Sequence, residues 1–359
     1  MGLLQVARDH PGGRGVPANG PRQLLAGRES ALIRSSLAAT VLGPAVLALV
    51  GTFPLPASAQ RVRPPYRVGV LNDARAANHP TVDGLKAGLR DLGFEEGRHV
   101  IFDVKLTDAN PERMSAAAGA LAKAGVDVVF TSSEAATLAA RAATQTVPIV
   151  FTLVGDPVAA GIVNSLAHPE GNLTGVSSLT TELVPKRLEA LKTLAPGLRR
   201  VWAIYHGADP ASGAAITRAL EVSSRFGIEI VRQAVRTPDE LEHILEGLRP
   251  GDALLVPDIA TMDIAAVLLE ASLARRVPAV FSSELWVSHG GLVSYGADYR
   301  AQGVQAARLV ARILRGARPR DLPVEGADRI VLAVNLKTAA SFGLTAPRTL
   351  LFGADIIRR

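Results

Sequence analysis

The feature that most constrains the fold is a pattern of short segments that occurs twice along the chain in the same order. Four segments of the first half are echoed roughly 130 positions later by segments of similar composition. The paired segments begin at residues 67 and 200, 92 and 226, 127 and 252, and 147 and 277. Repetition of this kind indicates two units of the same architecture in tandem.

The stretch from Val147 to Leu179 indicates what each unit contains. Pro148 to Phe151 has the length and β-branched content of a buried strand, and Leu173 to Ser177 predicts another. Asp156, followed by proline, suits the N-cap of a helix, so we expect a helix through Val158 to Ala167. A strand, a helix and a strand form a βαβ unit, which is typical of a parallel sheet.

The predicted fold class is therefore α/β, with two Rossmann-like lobes that each contain a parallel sheet. Ligands of such sheets bind at the carboxyl ends of the strands. Two facing lobes form a cleft, and hinged closure around a ligand follows from that arrangement. The tail from Leu292 onward has no counterpart in the repeat, so it could cross back between the lobes and supply extra hinge strands.

The first 59 residues do not fit the repeated pattern. Residues 1–36 are polar and rich in Gly, Pro and Arg, whereas Leu37 to Phe53 is apolar and is followed by Ala57-Ser58-Ala59. This order predicts a Sec-type signal peptide with an N-terminal extension, cleaved after Ala59, and a periplasmic mature protein. A retained membrane anchor is the alternative, because the apolar run is nearly long enough to span a bilayer. Gly43-Pro44 within the run favours cleavage.

Composition and motifs exclude several classes of function. The chain has no cysteine, which excludes disulfides, thiolate metal sites and a cysteine nucleophile. Its net charge of +6 is scattered, without basic blocks carrying aromatics, so we expect no nucleic-acid partner. Dinucleotide, phosphate-loop, zinc-protease and serine-elbow motifs are absent, and the histidines lack metal-ligand spacing. We expect no cofactor, no metal and no enzymatic activity; a catalytic triad assembled only in space stays an alternative.

Several longer motifs carry a resemblance to one family. They are residues 88–100, 139–151, 156–157, 161–166, 171–175, 186–189, 290–296, 321–325 and 335–340. Across nearly the whole mature chain, the sequence resembles the ABC transporter substrate-binding proteins, type I periplasmic binding proteins related to tryptophan and aromatic-amino-acid binders. The resemblance implies three hinge crossings, expected near Ser178 to Leu183, Gly290 to Ser294 and Arg320 to Glu325.

The resemblance also implies a function and a division of the chain. We expect a signal peptide with its extension at 1–59, a first lobe at 60–180 plus 293–320, and a second lobe at 181–292 plus 321–359. The expected function is the periplasmic component of an ABC importer. It would capture a small polar solute, with amino acids as one candidate class, and deliver it as a monomer to permease and ATPase subunits at the inner membrane. The alternative is a ligand-sensing subunit for a receptor.

Candidate ligand-binding residues of the first lobe follow predicted strands. Asn72 and Asp73 end the first strand, although such loop residues are often only solvated turns. Ser132 and Ser133 precede a helix, where hydroxyls and free N–H groups can bind a carboxylate; helix capping is the alternative role. Asp156 is expected to be a structural cap more than a ligand contact.

The second lobe offers a matching set of candidates. His206 follows the first strand of this lobe, where the family often has an asparagine-type residue. Asp258 follows the strand equivalent to that before Ser132 and is the first candidate for binding a ligand ammonium group. Ser283 and Glu284 follow the strand that ends at Phe281, and Glu284 is the second candidate. A buried carboxylate there would need a cationic partner.

Overall fold

A computed structural model describes residues 65–74, 79–207, 210–256 and 264–359. The predicted signal peptide and Asp258 lie outside the described residues. The strands are β1 (Tyr66–Asn72), β2 (Val100–Leu106), β3 (Val128–Thr131), β4 (Ile149–Val154), β5 (Leu173–Ser177), β6 (Arg200–His206), β7 (Glu229–Val235), β8 (Asp252–Leu255), β9 (Ala279–Phe281), β10 (Val293–Ala297), β11 (Glu325–Gly326), β12 (Ile330–Asn335) and β13 (Ile356–Arg358).

Helices alternate with these strands over most of the described chain. They are α1 (Pro80–Asp91), α2 (Pro111–Lys123), α3 (Glu134–Ala143), α4 (Val184–Leu194), α5 (Pro210–Ser223), α6 (Pro238–Glu246), α7 (Ile264–Arg275), α8 (Glu284–Ser288), α9 (Tyr299–Leu314), α10 (Leu336–Ser341) and α11 (Arg348–Phe352). Among the described residues, no helix combines the length and the hydropathy that a membrane span needs.

The first lobe is built on a six-stranded parallel sheet. Its strand order is β11-β5-β4-β3-β1-β2, and each neighbouring pair is parallel. The four central strands are rich in Val, Ile and Phe and are almost wholly buried, as expected for strands covered by helices on both faces. All their carboxyl ends therefore lie along one edge of the sheet.

The second lobe repeats this plan with an addition. Its sheet has the order β13-β12-β10-β9-β8-β6-β7, in which the five strands from β10 to β7 are mutually parallel. The added strand β12 runs antiparallel to β10, and β13 is parallel to β12. The predicted α/β class with two Rossmann-like lobes is confirmed, and the extra strands come from the tail that has no counterpart in the repeat.

Helices cover both faces of each sheet. In the first lobe α1 and α9 pack on one face through Leu85, Leu89 and Val310, and α2 and α3 pack on the other through Met114 and Leu121. In the second lobe, α4 and α5 cover one face and α6 and α7 cover the other. The apolar stripes from which these helices are predicted are thus the faces that pack on the sheets.

The pair α1 and α9 is packed unusually closely through glycine. A Cβ atom added to Gly84 would lie 2.1 Å from the carbonyl oxygen of Arg300, and one added to Gly303 would lie 2.0 Å from that of Thr81. Gly88 faces the Cβ of Ala307 in the same way at 2.7 Å. Glycine is therefore required on both helices. The backbones of α1 and α9 contact each other directly, so α9 is held on the first lobe by backbone contacts as well as by side-chain packing.

Sheet membership differs from the predicted segments in two places. The segment that begins at residue 293 opens with β10, which lies in the second sheet, because it pairs with β9 and β12. Residues 325–326 form β11, which pairs with β5 in the first sheet. The chain therefore makes its first crossing between the lobes at 178–183, as expected. The second crossing lies between β10 and α9, and the third lies between β11 and β12. The second and third crossings predicted at 290–294 and 320–325 were wrong by a few residues.

The helix predicted between β4 and β5 is also wrong. The chain begins a helical turn at Pro157, where the N–H of Ala160 donates to the carbonyl of Asp156 at 2.9 Å. It ends within that turn, because Gly161 adopts a left-handed conformation with φ of 63°. Residues 162–172 continue without helix. β4 and β5 are parallel neighbours all the same.

Candidate functional site

Two buried polar side chains that each have an atom without a hydrogen-bond partner stand side by side at the carboxyl edge of the first sheet. Asn72 ends β1 and Ser132 directly follows β3, and these strands are paired in register through Leu71 and Thr131. Asn72 is fully buried and Ser132 is 1% exposed. The Nδ2 atom of Asn72 and the Oγ atom of Ser132 have no partner. Buried donors of this kind are rare, because each loses its hydrogen bonds to water on folding.

A carboxylate lies next to these donors. The side chain of Asp73 hydrogen-bonds to that of Ser133, and its charge interacts with His79. Burial raises the pKa of Asp73, whereas Ser133 and His79 lower it without cancelling that effect. Burial lowers the pKa of His79, against the opposing charges of Asp73 and Asp83. Asp73 and His79 thus form a partly desolvated acid and base at the edge where a ligand would bind.

The second member of the serine pair caps a helix. Ser133 is the N-cap of α3, and its Oγ accepts a hydrogen bond from the N–H of Ala136 at 3.1 Å. The capping and binding roles are compatible, because the remaining N–H groups of the first turn still face the carboxyl edge. Asn72, Asp73, Ser132 and Ser133 are therefore brought together. The cluster offers hydrogen-bond donors and one carboxylate, which complement a solute that carries both acceptor oxygens and a cationic group.

Asp156 has the structural role that was expected for it, because its side chain caps the turn after β4. Its Oδ1 accepts hydrogen bonds from the N–H groups of Val158 at 3.2 Å and Ala159 at 2.9 Å. Its Oδ2 accepts one from Thr181 Oγ1 at 3.4 Å. The side chain thus caps the turn after β4 and ties it to the first crossing, so both of its oxygens are already engaged.

The second lobe contributes a carboxylate at the start of α8. Ser283 is fully buried and is the N-cap of α8, where its Oγ accepts from the N–H of Leu285 at 3.2 Å. Burial raises the pKa of the adjacent Glu284, and the nearby charge of Asp298 raises it further, whereas Ser283 and Arg329 lower it. The cationic neighbour expected for a buried Glu284 is therefore Arg329. That arginine also pairs with Asp298 at 3.2 Å.

Of the other second-lobe candidates, His206 lies within the described residues, and it is separated from Ser283 and Glu284. His206 is the half-buried last residue of β6, which is separated from β9 by β8. Asp258, beyond the end of β8, is outside the described part of the chain. Within the described ranges, no group of three His, Asp or Glu side chains is arranged to hold a metal ion.

Two residues of α9, Tyr299 and Gln302, were missed as site candidates. His79 stacks on Tyr299 of α9, with ring centroids 6.4 Å apart and planes at 16°. Gln302, also on α9, is 1% exposed and its Nε2 has no partner. The sequence held a signal for Gln302, because it falls on the apolar stripe of α9 with Ala306, Leu309 and Val310. Its position at the carboxyl edge of the first sheet, in contact with Leu153 and Ser178, follows only from the second crossing.

The sequence comparisons identify relatives over most of the described chain. The family model for ABC transporter substrate binding protein matches residues 70–357. A tyrosine-binding protein of Clostridioides difficile is 28% identical over 271 residues, which are 74% of this chain and 78% of that protein.

Solved structures agree in fold. A conserved domain protein from Vibrio cholerae aligns with a TM-score of 0.71 and 28% identity, covering 82% of this chain and 99% of that one. A domain from Streptococcus pneumonia in complex with L-Trp aligns with a TM-score of 0.74 and 24% identity, at the same coverage. A ligand-free, open substrate-binding protein from Clostridium difficile aligns with a TM-score of 0.64 and 25% identity.

Proposed function

Because this chain belongs to the ABC transporter substrate-binding protein family, we propose that it captures a small polar solute, first of all an amino acid, in the cleft between its lobes. It delivers that solute to permease and ATPase subunits at the inner membrane. The protein is exported by its signal peptide, residues 1–59, and works in the periplasm as a monomer.

The unpaired donors of Asn72 and Ser132 carry this proposal. In a protein that binds no ligand at this edge, two adjacent polar atoms buried without partners would only reduce the stability of the fold. A bound carboxylate would accept hydrogen bonds from both atoms. Asp73 lies beside them and complements an ammonium group. The Clostridioides difficile relative is a tyrosine-binding protein, which supports amino acids as the class to test first.

The roles of the second-lobe residues follow from closure. Glu284 and Ser283 bind the solute from the opposite side once the lobes approach, and Arg329 is the cationic neighbour that favours the ionised form of Glu284 against the effect of burial. His206 contributes to the second-lobe surface from the end of β6, and Asp258 is proposed as a further ligand-binding residue of this lobe. The known relatives are solute-binding proteins, which favours capture over turnover.

A thermal-shift panel tests the proposal. L-tyrosine, L-tryptophan, L-leucine, small carboxylates, purines and polyamines are added to the purified protein. A ligand at ~100 times its dissociation constant should stabilise the protein by about 2.7 kcal/mol, which raises Tm by several degrees. A shift with amino acids supports the proposal, and a shift confined to another class retains transport but overturns the amino-acid assignment.

Two alanine variants make the panel specific to the site. Ser132→Ala removes one unpaired hydroxyl and should reduce the ligand-induced shift. Ser341→Ala removes an exposed hydroxyl on α10, far from the first sheet, and should leave the shift unchanged. Equal shifts in both variants would remove Ser132 from the binding site.

A further inference from the structure

Gln302 is a buried amide at a point where the site and the hinge meet. It lies in the first turn of α9, on the face that packs against the first sheet, and is 1% exposed. An amide buried among apolar side chains is stable there only when its polar atoms find partners. Its Oε1 atom has hydrogen-bond partners, whereas its Nε2 atom has none.

The oxygen of this amide is engaged. Oε1 accepts from Ser178 Oγ at 3.2 Å and from the backbone N–H of Leu153 at 3.5 Å. Because a backbone N–H can only donate, the oxygen and not the nitrogen must face Leu153, and this fixes the orientation of the amide. The NH₂ group therefore points to the other side, where no acceptor among the described residues meets it.

The partners of Oε1 place the amide at the carboxyl edge of the first sheet. Leu153 lies at the end of β4, at an irregularity in its pairing with β5, and has a φ of 55°. Ser178 follows β5 and begins the first crossing, and Leu179 after it has the same φ. Two left-handed leucines are costly, so this corner is held in place by its contacts. Asp298, the N-cap of α9, marks the second crossing.

We propose that Gln302 is a ligand-binding and positioning residue. Its NH₂ group donates to an acceptor oxygen of the solute in the cleft, while its Oε1 holds Ser178 and Leu153. The solute is thereby linked through one side chain to the first crossing and, through α9, to the second. This inference rests on the proposed function and adds to it the requirement that the solute present a carboxylate or similar acceptor to α9.

The substitution Gln302→Glu tests the donor separately from the acceptor. Glutamate retains an oxygen for Ser178 and Leu153 but replaces the NH₂ group by a second oxygen. We expect the affinity for L-tyrosine, L-tryptophan or L-leucine, whichever binds the wild-type protein, to fall at least tenfold at pH 8. The ratio of variant to wild-type affinity should recover towards one as the pH is lowered, because the protonated acid can donate again.

Ser178→Ala tests the positioning contact separately. It removes one partner of Oε1 and leaves the NH₂ group in place, so we expect a smaller loss of affinity than in Gln302→Glu, and one that does not recover as the pH is lowered. Gln302→Met, an apolar residue of similar length, should lose affinity at every pH without recovery. Isothermal titration calorimetry at several pH values measures these affinities, and the Tm of each ligand-free variant verifies folding.

The outcomes separate the two proposals. If the wild type binds one of these amino acids and Gln302→Glu binds it equally well at pH 8, the inference is overturned and the proposed function stands. A loss of affinity in Gln302→Glu that is the same at every pH would assign Gln302 a structural role only. That result would also overturn the inference. If the wild type binds no amino acid, the amino-acid proposal fails and this inference fails with it.

Discussion

Burial and the proposed ligand binding make opposite demands on Asp73. An acid removed from water is easier to fold when it is protonated, and burial accordingly raises its pKa above the usual value of 3.8. The same partial desolvation strengthens its interaction with a cation that enters the cleft, because fewer water molecules compete. A destabilising residue at a strand end of this kind is common at functional sites, where stability is exchanged for affinity.

The substitution Asp73→Asn should separate these two effects. It removes the charge but keeps an oxygen that can accept from Ser133. We expect the affinity for a cationic solute to fall at least tenfold, about 1.4 kcal/mol, because hydrogen bonds to charged groups are the stronger kind. We expect the ligand-free variant to unfold at the same or a higher temperature than the wild type. Calorimetric titration and thermal unfolding measure the two quantities.

The pH dependence of stability has a definite sign. Since the folded-state pKa of Asp73 is raised, its contribution to the free energy of unfolding is fully present below 3.8 and is lost as the pH rises through the folded-state value. The stability of Asp73→Asn relative to wild type should therefore increase as the pH rises from about 4 to neutrality. A constant difference for Asp73→Asn would contradict the burial argument.

Helix α9 is the element on which the site and the fold both depend. It carries Gln302 into the first lobe, begins at the second crossing with Asp298 as N-cap, and packs on α1 through Gly303. The N-cap oxygen accepts from the N–H of Ala301 at 2.9 Å. Because α9 fixes the amide by backbone contact, a small change in helix spacing should move the site as well as weaken the core.

Gly303→Ala tests this dependence. The added methyl group would meet the carbonyl oxygen of Thr81 at 2.0 Å, so α1 and α9 must separate. We expect a loss of about 1–3 kcal/mol in the free energy of unfolding, with a weaker affinity for any cleft ligand. Gly119→Ala on α2 is the control, since nothing lies within 4 Å of the added atom there. It should be neutral or stabilise by up to ~1 kcal/mol, and urea unfolding compares the two. Equal stabilities would show that α1 and α9 separate freely.

Local patterns predicted most elements because each follows from its own residues. Asn110, Ser133 and Asn335 are N-caps with the expected side-chain hydrogen bonds, and Asp156 caps its turn. The sheet assignments failed because they depend on distant partners: β10 belongs to the second sheet because of its pairing with β9 and β12, and β11 to the first because of β5. The helix predicted through Val158 to Ala167 failed locally, at the left-handed Gly161. The site shows the same division. The positions of Asn72 and Ser132 follow from strand ends, whereas Gln302 comes to the carboxyl edge of the first sheet, beside Leu153 and Ser178, only through a crossing that periodicity does not reveal.

At the scale of the whole molecule, the crossings are tied together by a buried arginine. Arg187 of α4 is 1% exposed. Its Nε donates to the carbonyl of Tyr295 in β10 at 2.8 Å, and its Nη1 donates to that of Thr180 in the first crossing at 3.2 Å. One second-lobe side chain thus holds the first crossing against the strand that leads into the second. A hinge built this way favours movement of the lobes as rigid bodies, with the change confined to a few residues.

Closure of the lobes around a solute can be measured directly, because the chain has no cysteine. Spin labels on cysteines introduced at Val158, after β4, and at Leu285, in α8, would report on opposite lobes; both side chains are exposed, at 44% and 45%. We expect an amino acid that raises Tm to shorten the distance between these labels by more than ~2 Å. A second pair at Val158 and Ile101 lies within the first lobe and should not change. Unchanged distances in both pairs would show that binding occurs without closure, and the hinge assigned to the three crossings would then have no role in capture.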